Sequence, residues 1–96
     1  MTEKPSKYRS QIRIYADMLR AIEKEKGDAK PTHILYGANL SHDRLVKYLA
    51  QLKEQGLIEE KENSEKTTYS LTDKGIEFLN EFRKVSQFAE AFGFVI

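Results

Sequence analysis

The sequence predicts a mainly helical α+β domain in the order α-α-α-β-β-α, with a long last helix. Three observations carry this reading. Lys30 to Ile58 reads as two short helices joined by a tight turn, a stop at Gly56 and the start of a strand. Glu59 to Thr72 has the composition of a hairpin. From Thr72 onward, apolar residues recur at helical spacing as far as Phe92.

Taken in order, residues 1–6 are polar, carry Pro5 and read as a flexible basic arm. Ile12, Tyr15, Ala16, Leu19 and Ile22, with Met18, recur at three and four residues, the stripe of an amphipathic helix. Ser6 or Ser10 supplies its cap and Gly27 its stop, so helix one is expected over about residues 7–26. Pro31 fits the first turn of a second helix, where its missing N–H is not needed. That helix must be short, because Gly37 and Asn39 follow closely, and Gly37 suits a positive-φ turn. Ser41 then offers its hydroxyl to the free N–H groups of a third helix, with Asp43 favourable in the first turn. Leu45, Leu49 and Leu52 form its buried edge. Leu57 and Ile58 enter a strand, and Lys66 to Leu71 is a second one, rich in the Thr and Tyr that suit a pleated surface. Thr72 caps the last helix, with Asp73 in its first turn. Thr72-Asp-Lys-Gly75 has one glycine and reads as a helix start, not a phosphate loop.

This order is that of a winged helix-turn-helix with a C-terminal helical extension. The expected division is an arm over 1–6, a DNA-binding domain over 7–71, and a dimerisation helix with its tail over 72–96. In such a fold the helix after the turn enters a DNA groove. On a wheel of about 100° per residue, Asp43, Arg44, Lys47, Gln51 and Glu54 spread opposite the leucine edge. Ser41 and His42 lie at the tip, where such helices contact bases. Arg44 has the guanidinium fork that suits guanine O6 and N7, and Lys47 is a point charge suited to phosphate. Tyr48 lies at the boundary, able to pack or to touch sugar-phosphate. The wing offers Lys61, Asn63 and Lys66, with Ser64 and Thr67 beside them. In the N-terminal segment, Lys7, Arg9 and Arg13 are placed to reach backbone phosphates.

Composition bounds this reading. Ninety-six residues make one small domain whose folding gains from association. The chain has no cysteine, which removes disulfides and thiolate metal sites. His33 and His42 are the only histidines and have no paired spacing, so neither a metal nor a cofactor is expected. No nucleophile set or Gly-rich phosphate loop stands out, and no enzyme is expected. There is no run of about 18 apolar residues and no signal-like leader, so a cytoplasmic, nucleoid-associated protein is expected. Net charge is only +1, but it is unevenly placed. Residues 1–13 hold Lys4, Lys7, Arg9 and Arg13 against Glu3, whereas 59–65 hold Glu59, Glu60, Glu62 and Glu65 against Lys61.

In the last helix, Phe78, Phe82, Val85, Ala89 and Phe92 are spaced 4, 3, 4 and 3, an a/d pattern, and Phe88 widens the apolar surface. Ile76 and Leu79 lie on another side and can pack onto the body. A domain this small can hardly bury all of it, so a homodimer is expected through these residues. Folding back as extra core is the alternative.

Several segments resemble a known family: Ile34-Leu-Tyr-Gly-Ala-Asn-Leu-Ser41, Leu45-Val-Lys-Tyr-Leu49, Leu52-Lys-Glu-Gln-Gly-Leu-Ile58, and Tyr69-Ser-Leu-Thr-Asp-Lys-Gly75 followed by Phe78-Leu79. Over residues 8–92 the chain resembles the small archaeal winged helix-turn-helix proteins that dimerise through an antiparallel C-terminal coiled coil, the ten-a type. The resemblance implies double-stranded DNA binding as a homodimer, in transcription regulation or chromosome organisation. Antiparallel pairing comes from the resemblance alone. The short C-terminal repeat and near-neutral charge favour a regulator over an abundant chromatin protein. A winged-helix protein–protein module, for which the acidic 59–65 stretch suits a basic partner, is the competing reading.

Overall fold

The computed structural model describes residues 9–96. It contains α1 (Gln11–Lys24), α2 (Pro31–Gly37), α3 (His42–Glu54), β1 (Ile58–Glu62), β2 (Thr67–Leu71) and α4 (Asp73–Ala91). The order is the expected one, and the architecture is a winged helix.

Each long helix starts on a side-chain cap. The Ser10 hydroxyl accepts from Arg13 N at 3.1 Å, Ser41 from Arg44 N at 3.3 Å, and Thr72 from Gly75 N at 3.0 Å. The Ser10 cap corrects the expected start of helix one, near residue 7. Its end is also earlier than expected. Lys26 already stands at φ 54°, so the chain leaves the helix after Lys24. α2 has no hydroxyl cap. His33 Nδ1 instead accepts from Lys30 N at 3.0 Å, so this histidine closes the helix start.

Gly37 was expected to make the positive-φ turn, but it is the last residue of α2. The left-handed residue is Asn39, at φ 55°. Asparagine tolerates that region because its short polar side chain lowers the cost. Gly37 serves packing: a Cβ there would come within 2.8 Å of the Ala21 Cβ on α1.

β1 and β2 pair antiparallel, from Ile58 opposite Leu71 to Glu62 opposite Thr67. The second strand starts one residue later than expected, because Asn63 organises the tip. Its Oδ1 accepts from the N–H of both Glu65 and Lys66 at 3.0 Å. A third short segment adds to the sheet: Ala29 bridges Tyr69 through two backbone bonds of 2.8 and 3.3 Å. This bridge ties the α1–α2 connection to the wing.

The core gathers Met18, Leu19 and Ile22 of α1, Ile34 of α2, Leu52 of α3 and Leu79 of α4, all fully buried. Each such side chain stabilises the fold by about 1.5–3 kcal/mol relative to exposure. Leu79 and Phe82 belong to this same cluster, so the first half of α4 is part of the body. Ile12 departs from the expected stripe and is about half exposed. Ile76 likewise faces outward, whereas its companion Leu79 packs inward. Gly75 allows the start of α4 to lie against the end of the α3–β1 loop. A Cβ there would overlap the Leu57 carbonyl oxygen, which already accepts from Thr72 N at 3.1 Å.

Candidate nucleic-acid interface

The α2–turn–α3 unit presents α3 with Leu45, Leu49 and Leu52 inward. Ser41, His42, Asp43, Arg44 and Lys47 are exposed along its first half. Arg44 and Lys47 are the cations of that exposed first half. Among the described residues neither is in an ion pair. Several other cations around the fold are paired with carboxylates. Arg9, Arg13 and Arg20 converge on Asp17, Lys53 pairs with Glu60, Lys66 with Asp28, and Arg83 with Glu23. Lys47 Nζ lies 5.5 Å from the centre of the Tyr48 ring, which tethers it loosely without neutralising it.

Two other residues expected on this face are turned to structural work. Gln51 is half-buried, and its Oε1 accepts from the Tyr15 hydroxyl and, at 3.2 Å, from Gln11 Nε2. Tyr48 packs edge-on against Tyr15 with ring centres 5.9 Å apart. Together Tyr15, Tyr48 and Gln51 fix the rotation of α3 against α1, and so fix which side of α3 faces out.

On the wing, Lys61 is exposed and unpaired among the described residues. Lys66 lies 3.5 Å from Asp28 in an exposed pair, a contact that a phosphate can displace at little cost. The Asn63 side-chain oxygen Oδ1 is committed to the tip turn. Glu59, Glu62 and Glu65 are exposed as well, so the wing is electrostatically mixed. Glu60 holds the end of α3 through Lys53. The hydrogen bond first, and the carboxylate charge second, raise the Lys53 ammonium above its ordinary range.

Of the N-terminal cations, Lys7 lies outside the described residues. Arg9 is mostly covered and bonds Asp17, the Ala38 carbonyl and the Asn39 carbonyl. Arg13 reaches Asp17 and donates to the Ile96 carbonyl at 3.1 Å. Both guanidiniums brace the fold. Sequence reasoning missed this because Asp17 lies on the polar side of the α1 stripe, where a carboxylate looks like any solvated charge.

On α4 the expected seam splits. Phe82 and Ala89 are buried within the chain, Phe82 beneath the Arg13 guanidinium, and Phe78 is half-buried at the edge of the core. Val85, Phe88 and Phe92 remain exposed, at 52%, 67% and 65%, and the Phe88 and Phe92 rings meet at 5.1 Å. Phe94 N bonds the Ala89 carbonyl at 2.8 Å, which turns the tail back and leaves Phe94 and Val95 exposed beside this strip. No described helix is long and apolar enough to cross a membrane, and no group of three His, Asp or Glu among the described residues is placed to hold a metal.

The capped α2–α3 pair, the two-stranded wing and the supporting α1 and α4 define a winged helix-turn-helix protein. The chain belongs to that family, whose model matches residues 8–90. It is similar to Sso10a-2, a DNA-binding protein from Sulfolobus solfataricus, at 26% identity and a TM-score of 0.78, over 88% of this chain and 85% of that one. It also shares its fold with F93 from STIV, a winged-helix DNA-binding protein (14% identity, TM-score 0.67, 81% of this chain and 90% of that one). The PcaV transcriptional regulator from Streptomyces coelicolor is a third fold relative (17% identity, TM-score 0.71, 86% of this chain and 60% of that one). Comparison with curated proteins finds no match.

Proposed function

We propose that this protein binds double-stranded DNA as a homodimer and regulates transcription, with α3 as the element that enters the major groove. The observation that carries this is the pair Arg44 and Lys47. They are exposed cations without a carboxylate partner among the described residues, on the helix that follows the turn. Arg44 is suited to a guanine edge and Lys47 to a phosphate. Ser41 and His42 sit at the entering tip, and Lys61 and Lys66 supply cations on the mixed-charge wing. DNA binding by Sso10a-2, which matches most of this chain, supports the reading. A net charge of +1 favours a regulator over an abundant, strongly basic packaging protein.

The dimer contact in this proposal is the outer strip of α4, Val85, Phe88 and Phe92, continued by Phe94 and Val95. It differs from the full heptad seam in that Phe82 and Ala89 support it from within. A two-fold pair would present two α3 helices to a pseudo-palindromic site.

The exposed glutamates of the wing favour a second reading, a module for a basic protein partner. Titrating duplex-DNA affinity against salt decides between them. Each phosphate neutralised steepens the slope of log affinity on log salt by about 0.9. A steep slope supports DNA binding, and no duplex binding at low salt would overturn it.

A further inference from the structure

The outer side of α3 is not wholly polar. Val46 is 56% exposed, and Ala50, one turn further on, is exposed too. Neither belongs to the core, whose α3 members are Leu45, Leu49 and Leu52 with Tyr48 at the margin. At about 100° per residue, Ala50, Asp43 and Lys47 lie on the arc opposite the leucine edge, and Val46 stands on its flank, about a quarter-turn from that edge. A valine there does nothing for the helix itself. Its branched Cβ is restricted against the preceding turn, and an unbranched polar residue would serve an exposed helical position better. It sets an exposed apolar group in the second turn of α3, beside a lysine that is unpaired among the described residues.

We infer that Val46, with Ala50 behind it, is a specificity-determining contact to the C5 methyl group of thymine, so that α3 prefers thymine-bearing steps. The inference rests on the DNA-binding reading above. In the major groove thymine alone presents a methyl group, while the other bases present donors and acceptors along the same edge. A valine side chain set against a thymine methyl removes apolar surface from both. Set against a cytosine amino group or a guanine carbonyl, it strips water without replacing a hydrogen bond. Val46 therefore acts in both directions, favouring thymine and penalising the alternatives. Ala50, which is short, lets the groove floor approach the next turn of the helix.

The test compares an alternating adenine–thymine duplex with the same duplex carrying uracil in place of every thymine, so that only the methyl groups are lost. Affinities for both are measured for the parent protein and for Val46→Ala. Because Val46 lies outside the core, the variant should keep the parent's circular dichroism and melting temperature. The parent should bind the thymine duplex about fourfold more tightly for each α3 engaged, the worth of one buried methyl-sized group, or about fifteenfold for a two-fold dimer, and Val46→Ala should bind the two nearly equally. Equal binding of both duplexes by the parent overturns the inference. So does a thymine preference that survives in Val46→Ala, which would place the discrimination in DNA shape or another residue. If random-sequence duplexes are bound and the adenine–thymine duplex is not, thymine reading fails while DNA binding stands. Binding to no duplex at low salt overturns both.

Discussion

Arg9 and Asp17 form the brace beneath the helix-turn-helix turn. Arg9 Nη1 donates to Asp17 Oδ2 at 2.8 Å and to the Ala38 carbonyl at 2.7 Å, while Nη2 donates to the Asn39 carbonyl at 3.0 Å. Those carbonyls belong to the turn whose left-handed residue is Asn39. The carboxylate thus fixes the guanidinium, and the guanidinium fixes the backbone from which α3 departs. Both side chains are mostly covered, at 18% and 15% exposure. Arg9→Ala or Asp17→Asn should lower folding stability by about 1.5–3 kcal/mol, the range for hydrogen bonds to charged groups, as read by urea denaturation. If Arg9 instead met phosphate, its loss would leave stability alone and flatten the salt dependence of DNA binding.

Substitutions on the exposed side of α3 should behave in the opposite way. Arg44→Ala and Lys47→Ala remove no buried surface, so melting temperature and helical content should stay at parent values. Loss of Arg44 should weaken binding by about 1–3 kcal/mol and relax the preference at one base position. Loss of Lys47 should weaken binding to all sequences alike and reduce the salt slope by about 1. Anisotropy titrations at several salt concentrations measure both effects. Unchanged affinity in the double variant would remove α3 from the role of reader.

The close approach at Gly75 gives a test of the fold alone. A Cβ at this position would overlap the Leu57 carbonyl oxygen, a backbone atom that cannot swing aside. Gly75→Ala must therefore push the start of α4 outward and stretch the bond from Thr72 N to that oxygen. The expected loss is about 1–3 kcal/mol, the usual cost of overpacking, despite alanine's better helix propensity. A variant as stable as the parent would show that the α4–Leu57 contact is looser than described.

The residues that make this fold legible in sequence are those with local rules. Ser10, Ser41 and Thr72 cap their helices, and the spacing of Leu45, Leu49 and Leu52 marks the inward edge of α3. What escaped was set by partners distant in sequence. Gly37 looks like a turn glycine and is a packing glycine, because Ala21 lies across from it. Ala29 joins the sheet through Tyr69, forty residues on, which no local pattern announces. On α3 the wheel put Arg44 and Lys47 on the exposed side, where they stand, whereas Gln51 and Arg9, read the same way, bond within the chain. A polar side chain opposite the apolar stripe looks solvated until the residue it bonds, here Tyr15 or Asp17, is known.

Assembly is the remaining test, and the heptad spacing on α4 overstates the free surface. Phe82 and Ala89 already pack within the chain, and the exposed strip is Val85, Phe88 and Phe92 with Phe94 and Val95 beside it. Several large apolar side chains gathered on one side of so small a domain mark an interaction surface. A second copy of the same strip is the self-complementary solution that closes without leaving a free edge. Val85 is the residue to change, since it sits within the strip, is half exposed and supports no core contact. Val85→Glu would set two like charges against each other across a two-fold seam. The parent should sediment as a dimer at micromolar concentration and Val85→Glu as a folded monomer with the parent's circular dichroism. DNA affinity should fall with it, because two α3 helices would no longer engage one site together. A parent that sediments as a monomer at high micromolar concentration would refute the α4 dimer.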